Sequence, residues 1–259
     1  MTFPYIQLLG AYVINICTIT GRFTLFFINA FKTFITTKLK VSKTFAQMNR
    51  IGVESLNIII LTGLFTGMVL ALQTYIGFQR VGGEQLIGAI VALGIIRELG
   101  PVLTGLMVTG RAGSAITAEI GTMIITEQID ALRTLQINVF QYLVIPRIIA
   151  STFILPFLTL FSMIFGIIGG YIVCVHVLEL SPEDYENSIR NYVELEDIRG
   201  GLIKAAFFGL ILSSVGTYKG LYTYGGARGV GIATTQSVVA GSILILIANY
   251  FLTKMLEHL

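Results

Sequence analysis

Stretches of apolar residues long enough to cross a bilayer constrain this chain more than any other feature. A segment of about 20 apolar residues spans the ~30 Å hydrocarbon core as a helix, and such segments recur through most of the 259 residues. With 54% hydrophobic and 12% charged residues, the chain is too poor in polar groups to cover a soluble domain of its size. The sequence therefore predicts an all-α integral membrane protein forming one domain, 1–259. A net charge of +3 is too small to point to nucleic acid. Cys17 and Cys174 lie in apolar runs, and His176 and His258 stand alone, so neither a disulfide framework nor a metal site is expected. The N-terminus shows no cleavable signal pattern and no Arg/Ser-rich transit character. Synthesis in the compartment whose membrane the chain enters is the expectation.

Residues 5–31 form a first apolar run, interrupted by Gly21 and Arg22. Arg22, Asn15, Thr18, Thr20 and Asn29 favour a helix lying in the interface over a sixth span. A basic stretch follows, with Lys32, Lys38, Lys40, Lys43 and Arg50. The expected spans are residues 56–76, 86–110, about 151–178, 200–218 and 231–253. The first contains Gly63 and Gly67 in the GxxxG spacing of close-packed membrane helices, a pattern that glycine-rich helices also produce by chance. The apolar residues 140–178 would make ~58 Å of helix, too long for one crossing. With bends offered by Pro146 and Pro156, they read as an interfacial lead-in and a span. Residues 179–199 read as an acidic loop. The Lys/Arg bias places 32–50, 111–139 and 219–230 inside, and 77–85, 179–199 and the C-terminus outside.

One inner segment concentrates charge: Glu119, Glu127, Asp130 and Arg133 fall within residues 118–135. At ~100° per residue, Thr126, Glu127, Asp130, Arg133 and Thr134 share one arc of a helix, and Ile124, Ile125, Ile129, Ala131, Leu132 and Leu135 share the other. Such a helix, with Thr126 as its N-cap, is only ~15 Å long and cannot cross. It either lies on the bilayer or serves as a rigid knob for a cytosolic partner.

Within the spans, Arg97 and Glu98 fall near the middle of residues 86–110, where ionisable groups are costly and face a cavity or a partner. Being consecutive, they are expected to face different neighbours. Pro101 is expected to kink that span. Lys204 either snorkels to the outer interface or lines a partly polar cavity with Glu98. Arg111 is expected to anchor the inner end of its span at head-group level.

Several motifs resemble the signature block of MlaE-type permeases, the membrane subunits of bacterial ABC lipid transporters with plastid-envelope relatives. They are Arg97-Glu-Leu-Gly-Pro101, Gly110-Arg-Ala-Gly-Ser-Ala115, Ala118-Glu-Ile-Gly121, Thr126-Glu-Gln128, Pro146-Arg147 and Gly225-Gly-Ala-Arg-Gly-Val-Gly-Ile-Ala-Thr-Thr235. The resemblance runs from about residue 50 to the C-terminus. It implies an interfacial elbow helix and basic linker over 1–50 and a five-span permease core over 51–259. The segment 118–135, with Glu119, Thr126, Glu127, Asp130 and Arg133, would be a coupling helix docking on a separate ABC ATPase subunit. Arg97, Glu98 and Lys204 would border a lipid-holding cavity at a homodimer interface, with a substrate-binding partner of the MCE type. The membrane would be a bacterial inner membrane or the plastid inner envelope. Independently, no Gly is followed by Lys, so the chain lacks a Walker A motif. No cofactor is expected in this chain, and ATP would be bound by the partner. Competing classes are an ion-coupled secondary transporter, against which the absence of an internal repeat counts, and a non-transporting assembly protein. An enzyme is not expected, because no catalytic constellation falls on one side of the membrane.

Overall fold

The computed structural model describes residues 4–80 and 82–256, which are almost wholly helical. Eight helices follow one another among them: α1 (Pro4–Thr36), α2 (Val41–Phe78), α3 (Glu84–Ile125), α4 (Gln128–Thr134), α5 (Phe140–Val177), α6 (Pro182–Tyr192), α7 (Leu195–Leu221) and α8 (Gly226–Leu256). Five of these, α2, α3, α5, α7 and α8, are long and apolar enough to cross a membrane, as the sequence predicts. Their outward faces carry Leu61, Phe65 and Val69 on α2 and Leu246, Ile247 and Phe251 on α8, all exposed. In water such a surface would drive association; against lipid tails it costs nothing.

All five run further than expected, α2, α3 and α5 by ten residues or more. α3 continues through residues 111–125, because Arg111 and Glu119 are paired against α2 and α5 and need not leave the protein. α5 is a single helix from Phe140, not a lead-in followed by a span. Pro146 lies in the first turn after a π-turn at Phe140–Val144, where its missing N–H is tolerated, and Pro156 sits inside the helix without ending it. Likewise α3 passes Pro101 by means of a π-turn at Ile95–Leu99 immediately before it. The N-terminal run is one helix, uninterrupted at Gly21 and Arg22. It meets the bundle through an aromatic seam, with Phe23 and Phe26 packed edge-on to Tyr218, and Phe26 tilted against Phe140.

α5 forms the centre of the bundle. Gly63 and Gly67 are a true contact face: a Cβ at Gly63 would lie 2.7 Å from the Ser162 carbonyl oxygen, and one at Gly67 would overlap the Gly166 carbonyl. Backbones therefore touch directly, which is how membrane helices gain packing energy where lipid offers no hydrophobic drive. On its other side α5 packs on α7, where Gly209 faces the Ser151 carbonyl.

The expected acidic loop contains α6. Ser181 caps it by accepting the Asp184 N–H at 3.4 Å, and Pro182 opens the first turn. Tyr185 is buried and donates its hydroxyl to the Ile167 carbonyl at 3.1 Å, tying α6 to α5. Burial pushes that hydroxyl's pKa well above the usual tyrosine value.

α4 and the start of α2 thus lie at one end of the bundle, and α6 at the other. Cysteines at Thr134 and Asn187, both exposed, in a background lacking Cys17 and Cys174, are expected to react with an impermeant maleimide from opposite faces of sealed vesicles. Labelling of both from one face would contradict five crossings.

Candidate functional site

Polar groups collect at the two ends of the bundle. At the α6 end, Lys204 is 3% exposed although it lies within a spanning helix. It turns inward instead of snorkelling. Its ammonium donates to Glu98 Oε1 at 2.6 Å, to the Arg97 carbonyl at 2.9 Å and to Thr253 Oγ1 at 2.7 Å, which uses all three donors. Glu98 also accepts from Asn249 Nδ2 at 2.8 Å and lies 2.9 Å from Thr253 Oγ1. Three spanning helices, α3, α7 and α8, are thereby joined through one carboxylate.

Arg97 pairs with Asp197 at 2.6 Å. Asp197 also accepts the Glu194 backbone N–H at 3.0 Å and so caps α7. Arg97 and Glu98 therefore both engage α7, contrary to the expectation that consecutive residues face different neighbours. The physical reason is the π-turn at Ile95–Leu99, whose wider winding brings consecutive side chains closer in angle, together with two side chains long enough to reach partners two turns apart. They also lie beside the first turns of α7, nearer the α6 end than the middle of α3. Arg97, Glu98 and Lys204 line one cleft of ≈ 420 Å³ with Glu194, Asp197 and Gly201.

At the other end, Glu119 lies on α3, not on the short helix after it. It accepts Arg50 at 2.8 Å and Arg147 at 3.0 Å on the same oxygen. Arg111 is also not at a helix end. It donates to Glu54 at 3.0 Å, to Ser55 Oγ at 2.9 Å and to the Arg50 carbonyl at 2.7 Å, binding α3 to α2. The sequence held no signal for these pairings, since the partners lie between 28 and 69 residues away on other helices.

The short helix α4 covers Gln128–Thr134 and is shorter than the expected residues 126–135. Thr126 does not cap it: its hydroxyl turns back to the Thr122 carbonyl at 2.8 Å. The cap position is Glu127, in the left-handed region at φ 58°, which sharply reverses the chain after α3. Gln136, at φ 56°, closes the other side. Of the expected apolar arc, Ile129 is fully buried and Leu132 packs against the core, whereas Leu135 is 70% exposed. Asp130 and Arg133 pair at 3.0 Å on the exposed face. The result is a small knob, nailed down by Ile129 and held between two left-handed residues, with Asp130, Arg133 and Leu135 outward.

Comparison with known proteins agrees with this architecture. The sequence profile of the family described as Permease MlaE matches residues 44–255. A probable ABC transporter permease protein of Rickettsia typhi is 45% identical over 250 residues, covering 96% of each chain. The intermembrane phospholipid transport system permease protein MlaE of Haemophilus influenzae is 35% identical over 261 residues, 99% of this chain and 98% of that one. The Arabidopsis thaliana protein TRIGALACTOSYLDIACYLGLYCEROL 1, chloroplastic, is 39% identical over 217 residues, 84% of this chain and 62% of its own length. With five membrane-crossing helices and a profile match over most of its length, the chain is a multi-pass integral membrane protein that belongs to the MlaE permease family.

Proposed function

We propose that this chain is the permease subunit of an ABC transporter that moves phospholipid between membranes, working as a homodimer with a separate ATPase subunit and an MCE-type lipid-binding partner. The observation that carries the reading is α4: seven residues fixed at their base by fully buried Ile129 and presenting Asp130, Arg133 and Leu135 outward. A rigid knob tied at both ends to spanning helices suits transmission of a partner's movement into the bundle. The names of the Haemophilus and Rickettsia relatives support lipid cargo and the ABC class respectively. Apart from Leu256 and two glycines, the cleft of Arg97, Glu98 and Lys204 is lined by charged and polar side chains, which suits a lipid's head group rather than its tails. Lys204 serves there as a strut rather than as a head-group ligand, because its donors are spent.

The test is coupling. Glu127→Lys with Asp130→Lys, and separately Leu135→Asp, are expected to lower lipid-stimulated ATP hydrolysis by the co-expressed ATPase about tenfold or more. Both variants should keep the wild-type elution profile and thermal midpoint, since all three positions are exposed. Unchanged ATPase co-purification and unchanged transport would refute the docking role.

A further inference from the structure

The polar cleft at the α4 end has no part in the reading above. It is formed by the start of α2, the last turns of α3 and the first turns of α5, with Gln128 of α4 at its edge, and it measures ≈ 880 Å³, within the range of about 300–1,000 Å³ usual for small-molecule sites. Its charges do not balance: Lys43, Arg50 and Arg147 face Glu119 alone. Arg50 and Arg147 share a single oxygen of that carboxylate. Arg147 has a side chain only 4% exposed, and its Nε has no hydrogen-bond partner. Gln47 Oε1, on the same wall, is also buried without one. Neither orphan atom opens on the cleft, so what selects a guest is the lining charge: three cations against one carboxylate leave a surplus of positive charge that favours an anionic guest. Lys43 is held in position 3.2 Å over the ring of Tyr142.

We infer that this cleft binds the phosphate-bearing headgroup of an anionic phospholipid from the adjacent leaflet. Phosphate oxygens accept from guanidinium and ammonium groups in strong charge-assisted bonds. A free phosphate would use only the polar half of the lining. Ala46, Ala118, Met123, Leu143 and Pro146 form the other half, and a glycerol backbone with the start of its acyl chains would cover them. A protein partner fits less well, because the cleft is recessed between three helices, while α4 reaches it only through Gln128 and turns Asp130, Arg133 and Leu135 outward.

The test is native mass spectrometry of the detergent-purified chain titrated with phosphatidylglycerol or phosphatidylcholine of matched acyl chains. Phosphatidylglycerol is expected to bind about tenfold more tightly, because phosphatidylcholine carries the same phosphate but sets its choline cation against Lys43, Arg50 and Arg147. Lys43→Ala with Arg50→Ala should abolish the preference. Ala118→Trp should do the same by filling the cleft while leaving every charge in place, so the result stands even if the double variant misfolds. Lipid held at the α6 end would be indifferent to Ala118→Trp, so failure here leaves the transport reading untouched. Equal affinity for the two lipids, or full retention of the preference by Ala118→Trp, would overturn the inference. So would displacement of the lipid by millimolar inorganic phosphate, which would assign a free-anion site. Crosslinks from a photoreactive residue at Ala46 to a co-purified ATPase in place of lipid would assign the cleft to a protein and overturn it equally.

Discussion

Gly67→Ala is expected to lower the thermal midpoint of the detergent-solubilised protein more than any other single-methyl addition on α2. The new Cβ would overlap the Gly166 carbonyl oxygen and stand 2.6 Å from its carbon, so backbone would meet backbone. No rotamer change can relieve that. Overpacking in a core costs about 1–3 kcal/mol when side chains can shift; here the helices themselves must separate, so the upper end or beyond is expected. Separation would also spoil the neighbouring contacts, since Gly63 sits against Ser162 and Gly169 against the Leu64 carbonyl. In a bilayer this packing is the attraction between the two helices, with no hydrophobic term to hold them once it is lost. The matched control is Gly77→Ala on the same helix, where an added Cβ meets nothing within 4 Å. That change is expected to be neutral or to stabilise by up to about 1 kcal/mol through helix propensity. Equal midpoints for the two variants would show that α2 and α5 do not touch as described.

That contact was half legible in the sequence. The GxxxG spacing named the two glycines, but the pattern is common, and only the facing Ser162, Gly166 and Gly169 of α5 make it a seam. The five crossings were legible because a bilayer imposes a length of apolar residues that no loop needs. Where tertiary pairing decides, the sequence misleads. Residues 111–125 look too charged for a span, yet Arg111 and Glu119 find Glu54, Arg50 and Arg147 on other helices, and α3 simply continues. α6 was hidden for a different reason. Ser181-Pro182-Glu183-Asp184 is a helix start with cap, proline and acidic first turn, but the surrounding negative charge reads as a solvated loop until Tyr185 is seen buried against α5. At α4 the amphipathic arc was right for Ile129 and Asp130 and wrong for Leu135. A left-handed Glu127 moves the cap of the helix one residue on from Thr126, and no residue pattern announces a left-handed glutamate.

The polar node at the α6 end provides the sharpest test, because its two partners are buried to different depths. Lys204 has 4% of its side chain exposed and Glu98 has 38%. Removing the carboxylate should therefore cost more than removing the amine. In Glu98→Leu the ammonium keeps only the Arg97 carbonyl and Thr253, and an uncompensated buried charge of this kind typically costs about 3–5 kcal/mol. In Lys204→Met the carboxylate keeps Asn249, Thr253 and partial access to water, so a loss of about 1–2 kcal/mol is expected. The double variant Glu98→Leu with Lys204→Met strands no charge. It should recover much of the loss, since replacing a buried pair by apolar groups is often close to neutral, less the bond that Asn249 gives up. The expected order of thermal midpoints is wild type highest, then Lys204→Met, the double variant near it, and Glu98→Leu lowest. That order is also informative about function. If Glu98 does no more than hold α3, α7 and α8 together, the double variant should transport lipid nearly as well as it folds. If the carboxylate lines the path of a lipid, as proposed, the double variant should be folded and inactive. Midpoints that fall equally in the two single variants would mean that Lys204 is not buried beside Glu98, and the strut would have to be abandoned.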